Sequence, residues 1–242
     1  MTDGEPVLVA DDLSHAYGDV HVFDDISVEI DPGQLVALVG PNGSGKTTLL
    51  RILVGLLTPT DGTVSYRGAE TERELGYMPQ HPEFRPGFTA RETLAFYTSL
   101  VGGDPDALLD RVGLAGAADR NVEALSGGMT RLLGIAQATV GDPPVVVLDE
   151  PASGLDPGMR QQTYEVISER TADGTAVLLS THDTLLADEF ADRVLLLGAG
   201  ELLADGSPAA LAERYECDSL QSVFETAIPR EGGAVGRMGE ST

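Results

Sequence analysis

One nine-residue stretch constrains the chain more than any other: Gly40-Pro41-Asn42-Gly43-Ser44-Gly45-Lys46-Thr47-Thr48. It fits the spacing G-x-x-x-x-G-K-[ST], follows the apolar run Leu35–Val39, and opens a helical pattern over Thr47–Leu57. A strand that turns through glycines into a helix aims successive backbone N–H groups and the positive helix end at one spot. That is the arrangement with which a chain binds phosphate oxygens. Lys46 then sits on β- and γ-phosphates, and the Thr47 hydroxyl ligates Mg2+. The 15 basic residues include a single lysine, Lys46, so the flexible point charge stands at the one place that needs it. The following helix reads as apolar nearly all round, and so as buried.

Val145-Val146-Val147-Leu148-Asp149-Glu150 supplies a second half of the site. Four apolar residues make a strand buried on both faces, and the two carboxylates at its end emerge beside the phosphate loop. Asp149 would hold Mg2+ through its water shell, and Glu150 would polarise an attacking water. Without the loop, the same pattern is equally a surface turn.

Short β-branched runs at Val7–Ala10, Leu35–Val39, Leu75–Met78, Val145–Leu148, Ala176–Ser180 and Val194–Leu197 alternate with helical patterns. This predicts an α/β fold around a largely parallel sheet. Between Pro82 and Asp142 the strand signal vanishes and helices are expected at 89–101, 105–112 and 126–140, a helical subdomain inserted in the core. Two short helices are expected at 209–215 and 219–227, and the Gly-rich stretch 229–242 reads as a disordered tail.

Composition removes several function classes. The 39 acidic against 15 basic residues give a net charge of −24. Nucleic-acid binding through a basic face is excluded, because phosphate neutralisation needs clustered Lys and Arg. The same charge repels an anionic membrane, so attachment must run through a protein partner. No apolar stretch approaches the ~20 residues that span a bilayer, and no signal peptide is apparent. A single cysteine, Cys217, allows no intrachain disulfide and fits a reducing compartment. A Lys-poor acidic surface is expected of a protein working in high salt.

Leu125-Ser126-Gly127-Gly128-Met129, before a helix and about 20 residues ahead of Asp149, resembles the signature motif of the ATP-binding cassette (ABC) family. The resemblance runs from about Val7 to Ala227. It implies a P-loop NTPase core with a mostly parallel sheet, an N-terminal antiparallel β part and the helical insertion, within one ATPase domain at 1–228. Tyr17 resembles the aromatic that stacks on adenine, and Gln80 the glutamine at the γ-phosphate and metal. Asp156, in Ser153-Gly154-Leu155-Asp156, resembles the loop that crosses the dimer, and His182 the switch histidine. Taken singly, Tyr17 is also a strand-edge aromatic, Gln80 a turn residue and His182 a polar core residue. Ser126, Gly127 and Gly128 would present their helix end to the γ-phosphate of a second copy, so the resemblance implies a head-to-tail dimer closing on two ATP molecules. Met129 replaces the usual glutamine, and Leu132 and Gln137 replace usual basic residues. Met at the first of these positions and Gln at the last resemble a branch of export-type, copper-linked and nitrous-oxide-reductase-maturation ATPases.

The resemblance implies the ATP-binding and ATP-hydrolysing subunit of a membrane transporter, an exporter, with a separate membrane-spanning permease as partner. The chain would then lie in the cytoplasm, on the inner face of the membrane. The alternative is a soluble cassette ATPase of an assembly scaffold of the iron-sulfur type. A chromosome-maintenance ATPase needs a long coiled coil between phosphate loop and carboxylates, and only 103 positions separate Lys46 from Asp149. Phe84, Phe88, Phe96 and Tyr97 are either anchors for the permease or core of the insertion.

Overall fold

The computed structural model describes residues 5–228, and the stretch expected to be a disordered tail lies outside the described residues. The chain begins with β1 (Leu8–Tyr17), β2 (Val20–Ile30), β3 (Leu35–Val39), α1 (Lys46–Leu53), β4 (Asp61–Tyr66) and β5 (Leu75–Met78). Helices α2 (Ala90–Val101), α3 (Pro105–Arg111) and α4 (Gly127–Ala138) follow, with 3-10 turns at Ala115–Ala117 and Val122–Ala124. The remainder is β6 (Val145–Asp149), α5 (Pro157–Ala172), β7 (Ala176–Thr181), α6 (Thr184–Phe190), β8 (Arg193–Gly198), β9 (Glu201–Gly206), α7 (Pro208–Arg214) and α8 (Leu220–Ala227).

Six strands form the main sheet in the order β5-β6-β7-β3-β8-β9, parallel throughout except for β9. A second, antiparallel sheet has the order β2-β1-β4. The central strands are buried on both faces, and alternate residues feed two cores. Leu35, Ala37 and Val39 of β3 join Val146 and Leu148 of β6 in the core beneath α4, α5 and α8. Val36 and Leu38 join Val145 and Val147 in the core that α1 and the antiparallel sheet cover. Each such Leu or Val stabilises the fold by roughly 1.5–3 kcal/mol.

Helix α1 stops at Leu53 rather than running to Leu57. Gly55 adopts φ +72°, its N–H bonds to the Ile52 carbonyl, and the Leu56 N–H reaches back to the Arg51 carbonyl. A left-handed glycine with this pair of bonds ends a helix, and only glycine takes that conformation without cost. The helix is also less buried than its composition implies: Leu49, Leu50, Ile52 and Leu53 face the core, while Arg51 is exposed. Helix α4 likewise starts one residue late, because Ser126 caps it and accepts the Met129 N–H at 3.3 Å. In α2 a complete capping box joins Thr89 and Glu92.

Between β5 and β6 no strand forms among the described residues, only an isolated bridge from Thr89 to Asn121. Helix α4 returns the chain to the sheet, and its C-terminal turn lies against β5, where a Cβ at Gly76 would collide with the Ala138 carbonyl oxygen. Arg73 fixes that turn by donating to the Gln137 and Val140 carbonyls at 3.0 and 2.9 Å. Among the described residues no helix is long and apolar enough to cross a membrane.

Candidate functional site

The phosphate loop leaves the C-terminal end of β3 and enters α1 as expected, and glycine is needed at two of its positions. A Cβ on Gly40 would strike the Leu197 carbonyl oxygen, and Gly45, at φ +98°, has the Val22 side chain 2.9 Å from where its Cβ would be. Gly45 occupies the N-cap of α1 with no side-chain cap, so the first N–H groups of that helix stay unclaimed by side chains. Lys46 is buried and donates to the Gly40 and Pro41 carbonyls at 2.8 and 3.0 Å. Burial lowers its pKa, while the charges of Glu150 and Asp149 pull it back up. Two of the three ammonium donors are used by the Gly40 and Pro41 carbonyls, which leaves donor capacity for a phosphate.

The carboxylate strand β6 is not adjacent to β3; β7 runs between them. Ser180, paired in register with Asp149, fills the gap chemically. Its hydroxyl donates to Asp149 Oδ1 at 2.6 Å and accepts the Glu150 N–H at 2.8 Å. Asp149 Oδ2 is buried with no protein partner. An orphaned carboxylate oxygen whose charge is felt by Lys46, together with Thr47 and Gln80 in the lining of the cleft, offers oxygen donors of the kind that suit Mg2+.

Glu150 stands in the left-handed region at φ +51°, a conformation rare outside glycine. It is held at every end. The N–H bonds to Ser180, the carbonyl accepts Arg131 Nη1 at 3.0 Å, and carboxylate Oε2 lies 2.8 Å from His182 Nδ1. An ionised carboxylate only accepts, so His182 donates through Nδ1–H. The Glu150 side chain is 8% exposed and that of His182 is 58% exposed, so the pair runs from the buried sheet edge to the surface.

One cleft of about 470 Å³ gathers Tyr17, Asn42, Gly43, Gly45, Lys46, Thr47, Thr48, Gln80 and Glu150, all expected from sequence, together with Val22, which was not. Gly40, Pro41 and Ser44 complete the loop behind it. Tyr17 is 49% exposed and packs edge-on against His15 at 4.7 Å, leaving ring surface toward the cleft for a base to stack on. Ser126, Gly127, Gly128 and Asp156 do not line it. Ser126 and Gly127 are exposed at the start of α4, and Asp156 caps α5 by accepting the Met159 N–H. These two segments touch, since the Gly128 backbone lies against Met159 and Leu155.

Besides Val22, two polar side chains of the site escaped the sequence reading. Ser180 was visible as the polar end of an apolar strand. Arg131 is the lone charged residue of α4. The loss of basic residues at Leu132 and Gln137 is therefore not a loss of contact, because Leu132 is buried core and Arg131 makes the polar bonds, to the Gln80 and Glu150 carbonyls.

Residues 23–153 match the family described as ABC transporter. The chain is 35% identical over 232 residues to Nod factor export ATP-binding protein I of Paraburkholderia xenovorans, covering 90% of this chain and 76% of that relative. The chain belongs to the ABC transporter family. Its fold matches a solved ATP-binding subunit of an ABC transporter with a TM-score of 0.81 at 28% identity, covering 91% of this chain and 99% of that one. It also shares the fold of the bacterial ABC transporter cassette MJ0796, solved as a dimer, at a TM-score of 0.73, 24% identity, and coverage of 83% and 98%. This ABC subunit binds ATP and hydrolyses it to drive transport.

Proposed function

We propose that this ABC subunit powers an exporter as a head-to-tail dimer, docked from the cytoplasm on a separate permease at the inner face of the membrane. The observation that carries the hydrolytic reading is the convergence of Lys46 and Glu150 on one cleft, with Glu150 held from outside that cleft by His182. Tyr17 stacks the adenine. Gly40, Pro41, Asn42, Gly43, Ser44, Gly45, Lys46, Thr47 and Thr48 cradle the phosphates. Thr47, Gln80 and Asp149 hold Mg2+, which when bound neutralises phosphate charge. Glu150 orients the attacking water and takes its proton, and His182 fixes the carboxylate rotamer. Ser126, Gly127 and Gly128, whose helix end is exposed, receive the γ-phosphate of the second copy's ATP, with Asp156 beside them. Export is supported by the likeness to the Nod factor export protein of Paraburkholderia xenovorans.

The helical insertion at 82–142 offers the permease an aromatic groove. Phe84, Arg85, Phe88, Thr93, Phe96 and Tyr97 line a cavity of about 100 Å³, with the Arg85 guanidinium 4.7 Å from the Phe88 ring centre and Phe96 53% exposed. Phe84 and Phe88 are half-buried, which fits anchors in a groove. Co-purification from mild detergent tests the whole reading: the chain should bring down a polytopic membrane protein. Phe84→Ala or Phe88→Ala should weaken that capture by ~10-fold or more, an anchor being worth ~2 kcal/mol, with ATP binding intact. Recovery of no membrane protein contradicts the docking, and loss of folding in both variants assigns the rings to the core. In vesicles carrying the complex with ATP sites outward, cargo entering the lumen reads as export; cargo leaving it contradicts export.

The acidic surface leads to a second expectation. With a net charge of −24, self-repulsion reaches ~30 Å at 0.01 M salt and ~3 Å at 1 M. Tm should rise between about 0.1 and about 3 M KCl. A flat Tm across that range contradicts adaptation to high salt.

A further inference from the structure

Helix α4 carries one charge, and it reaches the backbone of two residues that line the cleft. Arg131 lies one turn beyond the Ser126 cap, half-buried, and its Nη1 donates to two backbone carbonyls, those of Gln80 and Glu150. Both belong to residues whose side chains line the cleft. Neither carbonyl is in regular secondary structure. Gln80 follows the end of β5, and Glu150 is the first residue beyond β6, in the left-handed conformation. A non-glycine residue keeps that conformation only where its surroundings over-determine it. The Ser180 bond to the Glu150 N–H fixes one side of the residue, and Arg131 fixes the other.

We infer that Arg131 is a positioning residue, which locks the Glu150 and Gln80 peptides to the signature helix so that the carboxylate and the glutamine amide face the γ-phosphate together. The inference rests on the reading of Glu150 as the group that activates water. A guanidinium suits the task because it stays charged when desolvated and serves two acceptors from one planar head. The same geometry makes α4 a lever. Its N-terminus carries Ser126, Gly127 and Gly128, so any shift of that end moves Arg131 and with it the alignment of Glu150.

Arg131→Met keeps the length and apolar stem and removes both bonds. Displacing a catalytic group by ~1 Å costs on the order of 10²-fold, so kcat for ATP should fall by on the order of 10- to 100-fold. KM should stay within about 3-fold, because the phosphate loop is untouched. Arg131→Lys, which can donate to either carbonyl without the planar fork, should recover an intermediate kcat. A Met variant with kcat within about 2-fold of the native chain, a KM that rises in step with the loss of kcat, or a Lys variant as impaired as the Met one would overturn the inference. Where the Met variant melts early, the Lys variant at a temperature well below its Tm decides by the same split. Glu150→Gln run alongside separates the two readings. If it hydrolyses ATP at the native rate, the role of Glu150 fails; if it is inactive while Arg131→Met is fully active, only the role of Arg131 fails.

Discussion

Glu150→Gln should bind ATP as the native chain does and hydrolyse it ~10²- to 10⁴-fold more slowly, the range of a positioned general base. The amide keeps the volume of the carboxylate and can still accept the His182 Nδ1–H, so the 2.8 Å contact and the left-handed backbone survive. What is lost is the basicity that aligns and deprotonates water. His182→Ala should act in the same direction, by freeing the Glu150 side chain. Asp149→Asn should differ in kind. One of its oxygens accepts the Ser180 hydroxyl and the other has no protein partner, so losing the charge there should weaken Mg2+-dependent ATP binding itself. Phosphate release and binding of a fluorescent ATP analogue, measured on the same samples, separate the two. Equal loss of binding in the Glu150 and Asp149 variants would contradict this division of labour.

Lys46→Met should abolish ATP binding at any concentration the native chain needs. Truncating one member of a buried, hydrogen-bonded charge set costs ~2–5 kcal/mol, or about 30- to 5,000-fold in affinity. The upper part of that range is expected here. Lys46 is buried, no second lysine exists to stand in, and its removal leaves Asp149 and Glu150 to repel both each other and the incoming phosphates. Equilibrium binding with and without Mg2+ checks it, and affinity within about 3-fold of native would contradict the phosphate loop assignment.

What the sequence disclosed follows from how its residues are buried. Strand β3 was legible to the residue, and β6 and β7 to within one, because runs such as Leu35–Val39 are continuous apolar stretches buried on both faces; β5, at the sheet edge with only Gly76 and Met78 buried, was legible to the residue as well. Strands β2 and β4 sit in the antiparallel sheet, with Asp24, Asp25 and Asp61 on exposed positions, and there the apolar signal is interrupted by acids. Helix α5 is fully formed, yet it buries only Thr163, Tyr164, Ile167 and Arg170, too sparse a stripe to stand out in an acidic sequence. The site divides in the same way. Lys46, Asp149 and Glu150 were readable because their chemistry is tied to local spacing. Arg131 and Ser180 act across 51 and 31 positions of chain, on Gln80 and Asp149 respectively, and no local pattern links such pairs. Leu132 misled for a related reason, since the basic group of the signature helix stands one position earlier.

The trans placement of the signature residues is the central claim, because within one chain Ser126, Gly127 and Gly128 stay outside the cleft that Lys46 lines. Light scattering on Glu150→Gln tests it, since a site that cannot hydrolyse holds its ATP and with it the closed pair. With ATP and Mg2+ in high salt the measured mass should double from that of the 25.4 kDa chain and fall back when Mg2+ is chelated. A mass that stays at one chain while ATP remains bound would contradict a dimer closed through the signature helix.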